Sequence, residues 1–294
     1  MYSIPALSTP FNPQGGEVDI AQNYKTPGTF QATIGAQHQL NDSFNFSGDF
    51  VYRRGFNGIA TVNPNVALVG PGNTSDFIIV NPAFTSLKQF TSGTYLKAYQ
   101  TDVQAHYRDR RGDTIGLAYQ LGWSWDNNFT AFAISGNNAL TTNPFNFNTD
   151  YGPSALDARN ILNISGTANL HWGFQLAPIF AYTSALPYTA TSSLQAPGTS
   201  AACPGYFTRC YPVGFSRDSL RGDAFISLSA RLSKTFRFGE SRSATLFFEG
   251  YNVTNRHNLG TNFNTNVDSP ATFRQPNGVA IPLRQLQVGG RFDF

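Results

Sequence analysis

Short and long connections alternate along this chain, and few folds permit that pattern. The segments they join carry a period of two, in which successive side chains fall on opposite faces of an extended strand. Over Gly28 to Leu40, Phe30, Ala32, Ile34, Ala36 and Leu40 oppose Thr29, Gln31, Thr33, Gln37 and Gln39, with His38 on the apolar side. After Asn41-Asp42, Phe44, Phe46, Phe50 and Tyr52 oppose Asn45, Ser47, Asp49 and Arg53. The same template predicts strands over about Tyr95 to Arg108, Thr114 to Asp126, Leu162 to Trp172 and Phe174 to Thr183. It recurs over Ile226 to Ser233, Leu246 to Tyr251 and Leu283 to Phe294, for nine strands in all. Asn41-Asp42, DRRGD (Asp109 to Asp113), HWG (His171 to Gly173) and RFGESR (Arg237 to Arg242) are short connections. Between them lie long stretches rich in Asn, Gly, Pro, Ser and Thr: about Arg54 to Gly93, Asn127 to Asp157, Ser184 to Ser219 and Val253 to Ile281.

A transmembrane β-barrel produces this alternation, with short turns in the periplasm and long loops outside. The expected fold is therefore all-β: an antiparallel up-and-down transmembrane β-barrel wall. The polar face fits, because Asp49, Asp102, Arg231, Glu249, Arg291 and Asp293 suit a wet lumen better than a dry core. Aromatics gather at strand ends. Tyr52, Tyr95, Trp123, Trp125 and Tyr182 are expected at the outer rim, and Phe44, Tyr107 and Trp172 at the inner one, as two interfacial girdles. The alternative is a soluble β-sandwich that uses its aromatics as core.

The end of the chain, LRQLQVGGRFDF, reads as a full strand. Leu286, Val288, Gly290, Phe292 and Phe294 share one face. Composition excludes other classes. Only 13% of the 294 residues are charged, and no apolar run reaches the eighteen or so residues of a membrane helix. The net charge of +3 is spread along the chain without a basic cluster, so nucleic acid is not an expected partner. The start, MYSIPALSTPFNPQGG, has no signal-peptide pattern, so either the protein is cytosolic or the chain lacks its true beginning. Cys203 and Cys210, in CPGYFTRC, are read as a loop disulfide; a pair of free thiols is the alternative.

YKTPGTFQATIGAQHQL (Tyr24 to Leu40), RGDAFISLSARLSKTFRFGE (Arg221 to Glu240) and LFFEGYNVTNRHN (Leu246 to Asn258) resemble the barrel of TonB-dependent outer-membrane receptors, most closely the Oar-like group. The resemblance implies a bacterial outer-membrane location and a 22-stranded barrel around an N-terminal plug, with a Ton box that engages the TonB energy-transducing complex. Plug, Ton box, signal peptide and about thirteen strands are absent from this sequence. Residues 1–27 then read as the remnant of an extracellular loop and 28–294 as nine C-terminal strands. The terminal residues from Leu286 to Phe294 look like the signal read by the barrel-assembly machinery. The implied function is uptake of a scarce nutrient (a siderophore, cobalamin or glycan), with a surface-binding protein or a soluble carbohydrate-binding protein as alternatives.

No catalytic motif, cofactor loop or metal-ligand spacing is present. His38, His106, His171 and His257 sit on separate elements, and lumen polarity accounts for Asp223 and Glu249 without catalysis. Two RGD triplets fall at a tight turn and at a strand start, and the N-x-S/T triplets, Asn163 among them, carry no glycosylation meaning in this setting. An enzyme is not expected.

Overall fold

The computed structural model describes residues 14–68, 77–129, 141–198, 203–239 and 242–294. The remaining residues, which include parts of the expected N-terminal loop, three of the long connections and the RFGESR turn, lie outside the description. Among the described residues there are fifteen strands: β1 (Gln14–Ile20), β2 (Gly28–Asn41), β3 (Phe44–Val62), β4 (Val66–Leu68), β5 (Phe77–Ile79), β6 (Phe84–Arg108), β7 (Thr114–Asp126), β8 (Gly152–Pro153), β9 (Asn160–Asn169), β10 (Phe174–Thr183), β11 (Pro187–Tyr188), β12 (Leu220–Arg221), β13 (Phe225–Phe238), β14 (Arg242–Tyr251) and β15 (Gln285–Asp293). One sheet runs in the order β2-β3-β6-β7-β9-β10-β13-β14-β15, so its members follow the chain. Each neighbouring pair is antiparallel.

The short turns are built from local chemistry. Asn41 Oδ1 accepts hydrogen bonds from the backbone N–H of Ser43 and of Phe44, both at 2.9 Å, and so closes the β2–β3 hairpin. Asp109 Oδ1 does the same for Arg111 (2.8 Å) and Asp113 (2.9 Å), while Gly112 takes the left-handed conformation (φ +85°) that the turn needs. At His171–Gly173 the chain makes a 3-10 turn in which Trp172 itself is left-handed (φ +61°), an uncommon state for an aromatic residue. Trp172 therefore belongs to the turn and not to the preceding strand, which ends at Asn169.

Register keeps the two faces separate across the sheet. Phe46 pairs with Ala105, Ala105 with Leu117, Leu117 with Ile164, Ile164 with Phe180, and Phe180 with Leu228. One residue along, Ser47, Gln104, Ala118, Asn163, Ala181 and Ser227 form the opposite row. A one-residue slip would exchange these faces, so the alternation fixes the register.

Two features depart from the sequence reading. The connection placed at Arg54 to Gly93 is largely strand, because β3 runs on to Val62 and β6 starts at Phe84. Irregularities at Gly55 and Gly58, with Asn57 left-handed (φ +52°), break the period of two and hide this stretch from pattern reading. Within the supposed N-terminal loop, β1 pairs with β6 in parallel, from Gln14 opposite Phe84 to Ile20 opposite Phe90.

Burial argues against a soluble sandwich. Among the described residues eight hydrophobic side chains are buried against thirteen polar or charged ones. The large apolar residues of the sheet stand in the open instead, with Ile34 74% and Val288 78% exposed. A dry core would hold them; a lipid-facing wall leaves them outside.

Candidate functional site: loop cap and polar wall

At the long-loop end of the sheet the connections fold into a cap around buried charge. Arg217 anchors it. Its Nε donates to the Asp150 carbonyl at 2.6 Å, Nη1 to Asp218 Oδ2 at 3.0 Å, and Nη2 to the carbonyl and Oδ1 of Asp126 at 2.6 and 2.5 Å. The planar five-donor fork is suited to bridging three segments in this way. Gly152 lets them close up, since a Cβ there would lie 2.5 Å from the Arg217 carbonyl.

Asp150 is fully buried. It accepts from the Thr142 N–H (2.7 Å) and hydroxyl and from the Tyr211 hydroxyl, with Arg209 Nη2 3.7 Å away. Asp157 accepts from the Ser124 N–H (2.9 Å), pairs with Arg221, and lies 3.6 Å from Arg159. Arg256 pairs with Asp223 at 3.0 Å and Arg231 with Glu249 at 3.3 Å, so Asp223 and Glu249 each have their own cation. A small apolar nucleus (Tyr188, Ala190 and Leu220, flanked by Phe215, Phe263 and Phe273) fastens the 251–285 connection to the 183–225 one.

Burial disfavours the Tyr211 phenolate, and the neighbouring Asp150 charge and hydrogen bond add to the effect, so its pKa lies well above the usual tyrosine value. The neutral form is favoured in the folded cap. This contribution is complete below the unfolded-state value of about 10 and fades as pH rises beyond it. Raising the pH from about 9 to about 11 is therefore expected to lower the protection factor of the Thr142 amide, that is, its exchange relative to the base-catalysed rate of an unfolded chain at the same pH. Tyr211→Phe, which cannot ionise, is expected to flatten that dependence.

Cys203 and Cys210 are joined by a disulfide with a Cα–Cα separation of 5.6 Å. Closing so small a loop is worth about 2.5 kcal/mol on the chain-entropy model. Mass analysis of unreduced protein is expected to find no free thiol, and Cys203→Ser to speed proteolysis within the 183–225 connection.

Aromatic residues form two rows. Tyr52, Tyr99 and Trp123 are cross-strand neighbours, with the Tyr52 and Tyr99 rings 5.3 Å apart. Phe44, Tyr107 and Ile115 form the other row beside the short turns. Tyr99 was missing from the sequence reading as a rim residue; its alternation with Tyr107 was the available signal. The eight steps from Tyr99 to Tyr107 span ~26 Å of strand, or ~20 Å once tilted, close to the height of an apolar barrel band. Tyr182 lies between Leu162 and Ile226, and Trp125 between Lys97 and Pro153. Tyr95 joins the cap instead: its hydroxyl donates to Asn148 Oδ1 at 3.2 Å and its ring lies 5.9 Å from that of Tyr151. Trp172 stands 86% exposed at the short-turn end.

On the terminal strand, Leu286, Val288, Gly290 and Phe292 pair with Gly250, Phe248, Leu246 and Ala244 of β14. The other edge of β15 has no partner among the described residues. Phe294 is 94% exposed, with its ring 6.2 Å from that of Phe292. On the polar face Phe247 lies across Gly289, and the Arg231 guanidinium stacks on Phe247 at 4.0 Å. No group of three or more His, Cys, Asp or Glu able to hold a metal occurs among the described residues.

A meander with one apolar face, one polar face and a folded cap at one end is the form of a membrane barrel wall. Residues 2–287 match the family model described as outer membrane beta barrel domain, and the chain belongs to that family of bacterial outer-membrane proteins. This sets aside the soluble carbohydrate-binding alternative. No curated protein matches the sequence. Two of the solved structures that share the fold are outer-membrane transporters. The outer membrane transporter YddB from Escherichia coli is 12% identical, with a TM-score of 0.55 over 97% of this chain and 34% of that one. The FrpB iron transporter from Neisseria meningitidis (F3-3 variant) is 12% identical, with a TM-score of 0.53 over 95% of this chain and 32% of that one. The chain thus spans about a third of the length of these transporters.

Proposed function

We propose that this chain is the C-terminal part of the barrel wall of a TonB-dependent receptor of the Oar-like group. The whole receptor takes up a scarce nutrient (a siderophore, cobalamin or glycan) through a barrel of about 22 strands. The observation that carries this reading is the overlay of 97% of the chain on a third of an outer membrane transporter. The apolar face meets lipid, and the polar face lines the lumen. The short turns lie in the periplasm and the cap lies outside, with residues 1–27 part of the extracellular surface. Tyr52, Trp123, Trp125 and Tyr182, joined by Tyr99, mark the outer interface, and Tyr107 and Trp172 the inner one. Leu286, Val288, Gly290, Phe292 and Phe294 form the signal for the barrel-assembly machinery. Contact with the TonB complex runs through a plug and Ton box encoded upstream.

A second reading, surface binding without transport, draws on the cap, whose buried charge and disulfide make it a firm platform. Extending the gene upstream in frame separates the two. A plug and Ton box, with uptake abolished when TonB is deleted, support the receptor; a secretion signal directly before Met1 overturns it.

A further inference from the structure

On the lipid-facing side of β13 a lysine interrupts the apolar row. Leu228, Ala230 and Leu232 are followed by Lys234, which pairs with Phe174 of β10 and Leu246 of β14. Among the described residues, Lys234 and Arg242 (opposite Phe238) are the charged groups on this face of β10, β13, β14 and β15. The carboxylates of these strands, Glu249 and Asp293, lie on the polar face beside Arg231 and Arg291. A cation is costly at mid-depth in lipid and nearly neutral at an interface, so depth decides what Lys234 can do.

Its depth follows from the tilt of the strands. One register row runs from Ala105 on β6 through Leu117, Ile164 and Phe180 to Leu228 on β13. Strands ~4.8 Å apart and tilted ~40° shift the membrane plane by ~4 Å, or about 1.2 residues, at each of these four steps. The turns recede in the same sense, since Ala105 lies four residues before Asp109 and Leu228 eleven before Gly239. Tyr107, two residues beyond Ala105, is therefore level with a point about seven residues beyond Leu228, between Lys234 and Phe236. Lys234 stands at the inner aromatic rim and not in the apolar band.

The ammonium is held in place while its donors stay open. Nζ lies 4.7 Å from the centre of the Phe174 ring and 5.0 Å from that of Phe236, two cation–π contacts that fix it against the wall. No carboxylate or hydrogen-bond acceptor among the described residues engages it. The HWG turn packs alongside, where a Cβ on Gly173 would lie 3.3 Å from the Thr235 carbonyl oxygen. That turn holds Trp172 in its left-handed conformation with the indole exposed. Towards mid-membrane, Leu232 and Leu246 leave an open aliphatic surface.

We infer that this corner binds an anionic glycerophospholipid of the leaflet on the short-turn side. Its phosphate accepts from the Lys234 ammonium, the Trp172 indole lies at the level of its glycerol, and its acyl chains run over Leu232 and Leu246. Net negative charge is the discriminating feature. In a zwitterionic headgroup the lipid's own ammonium competes for the phosphate, whereas an anionic headgroup leaves it to Lys234 and Arg242. The inference rests on the assignment of faces and not on the uptake reading.

The test uses the full chain, extended by its upstream coding sequence where one exists, purified in a non-ionic detergent. It is titrated with dioleoyl phosphatidylglycerol, dioleoyl phosphatidylethanolamine and lipid A, and bound lipid is counted by native mass spectrometry. Phosphatidylglycerol is expected to bind about fivefold or more tighter than phosphatidylethanolamine. Lys234→Met is expected to abolish that preference and Lys234→Arg to keep it. Lys97→Met, on the same face at the long-loop end opposite Trp125, is expected to leave it unchanged. All three variants are first checked for the heat-modifiable gel mobility of a folded barrel. Equal binding of the two phospholipids, a preference that survives Lys234→Met or is lost equally in Lys97→Met, or tighter binding of lipid A overturns the site. A Lys234-dependent preference in a protein that imports nothing leaves the site standing and removes the uptake reading.

Discussion

Leu228→Arg is expected to cut assembly into the outer membrane about 30-fold or more, whereas Ser229→Arg should stay within a few-fold of wild type. The two positions are adjacent in sequence and opposite in facing. Leu228 pairs with Phe180 on the apolar face, and Ser229 pairs with Ile179 on the polar one. An arginine held in lipid at mid-depth costs about 2–4 kcal/mol, and each 1.4 kcal/mol is about a factor of ten. Leu228 lies between Ala230, which pairs with Pro178 midway along β10, and Ile226, which pairs with Tyr182 of the outer row, so its cost falls at the lower end of that range. On the lumen side the same guanidinium stays in water, beside side chains such as Arg231 and Glu249 that already carry charge. Assembly is read as the protease-protected, heat-modifiable fraction in isolated membranes. Equal losses for the two variants would refute the assignment of faces.

Arg217→Met is expected to unfold the cap while leaving the sheet intact. Removing one partner from a buried, hydrogen-bonded charge cluster costs about 3–5 kcal/mol, because the groups left behind stay buried and unpaired. Here those groups are the carbonyls of Asp126 and Asp150 and the carboxylates of Asp126 and Asp218. Hydrogen exchange at the amides of Thr142 and Asp218, each held by a cap hydrogen bond, should rise by two to three orders of magnitude. Amides in β10 and β13 should exchange as in wild type. Arg217→Lys should rescue little, since one ammonium cannot reach Asp126 and Asp150 together. Unchanged exchange at Thr142 would mean that the cap is held by its apolar nucleus and disulfide instead.

The wall was legible in the sequence and the cap was not, for physical reasons. A strand with one face in lipid and one in water must alternate, so Thr114 to Asp126 announces both its structure and its facing. The Asn41 and Asp109 turns were equally readable, because their side chains act on residues close by in the chain. The cap depends on partners far apart, such as Arg217 and Asp126, separated by 91 residues. Nothing in the neighbourhood of either residue marks the pairing. The parallel strand β1 was hidden in the same way, since its partner β6 lies about seventy residues downstream. Trp172 was read both as the end of the preceding strand and as part of the HWG turn; the turn holds it, in a left-handed conformation rare for a bulky residue.

The central claim is that this sheet has one face in lipid and the other in an aqueous lumen. It is tested most directly by placing a spin-labelled cysteine at each position from Thr114 to Asp126 in turn. Relaxation by oxygen, which concentrates in lipid, is then compared with relaxation by a water-soluble nickel chelate. The account predicts a period of two, with oxygen dominant at Ile115, Leu117, Tyr119, Leu121 and Trp123 and nickel dominant at Gly116, Ala118, Gln120 and Gly122. An inverted phase, or no alternation along β7, would contradict it.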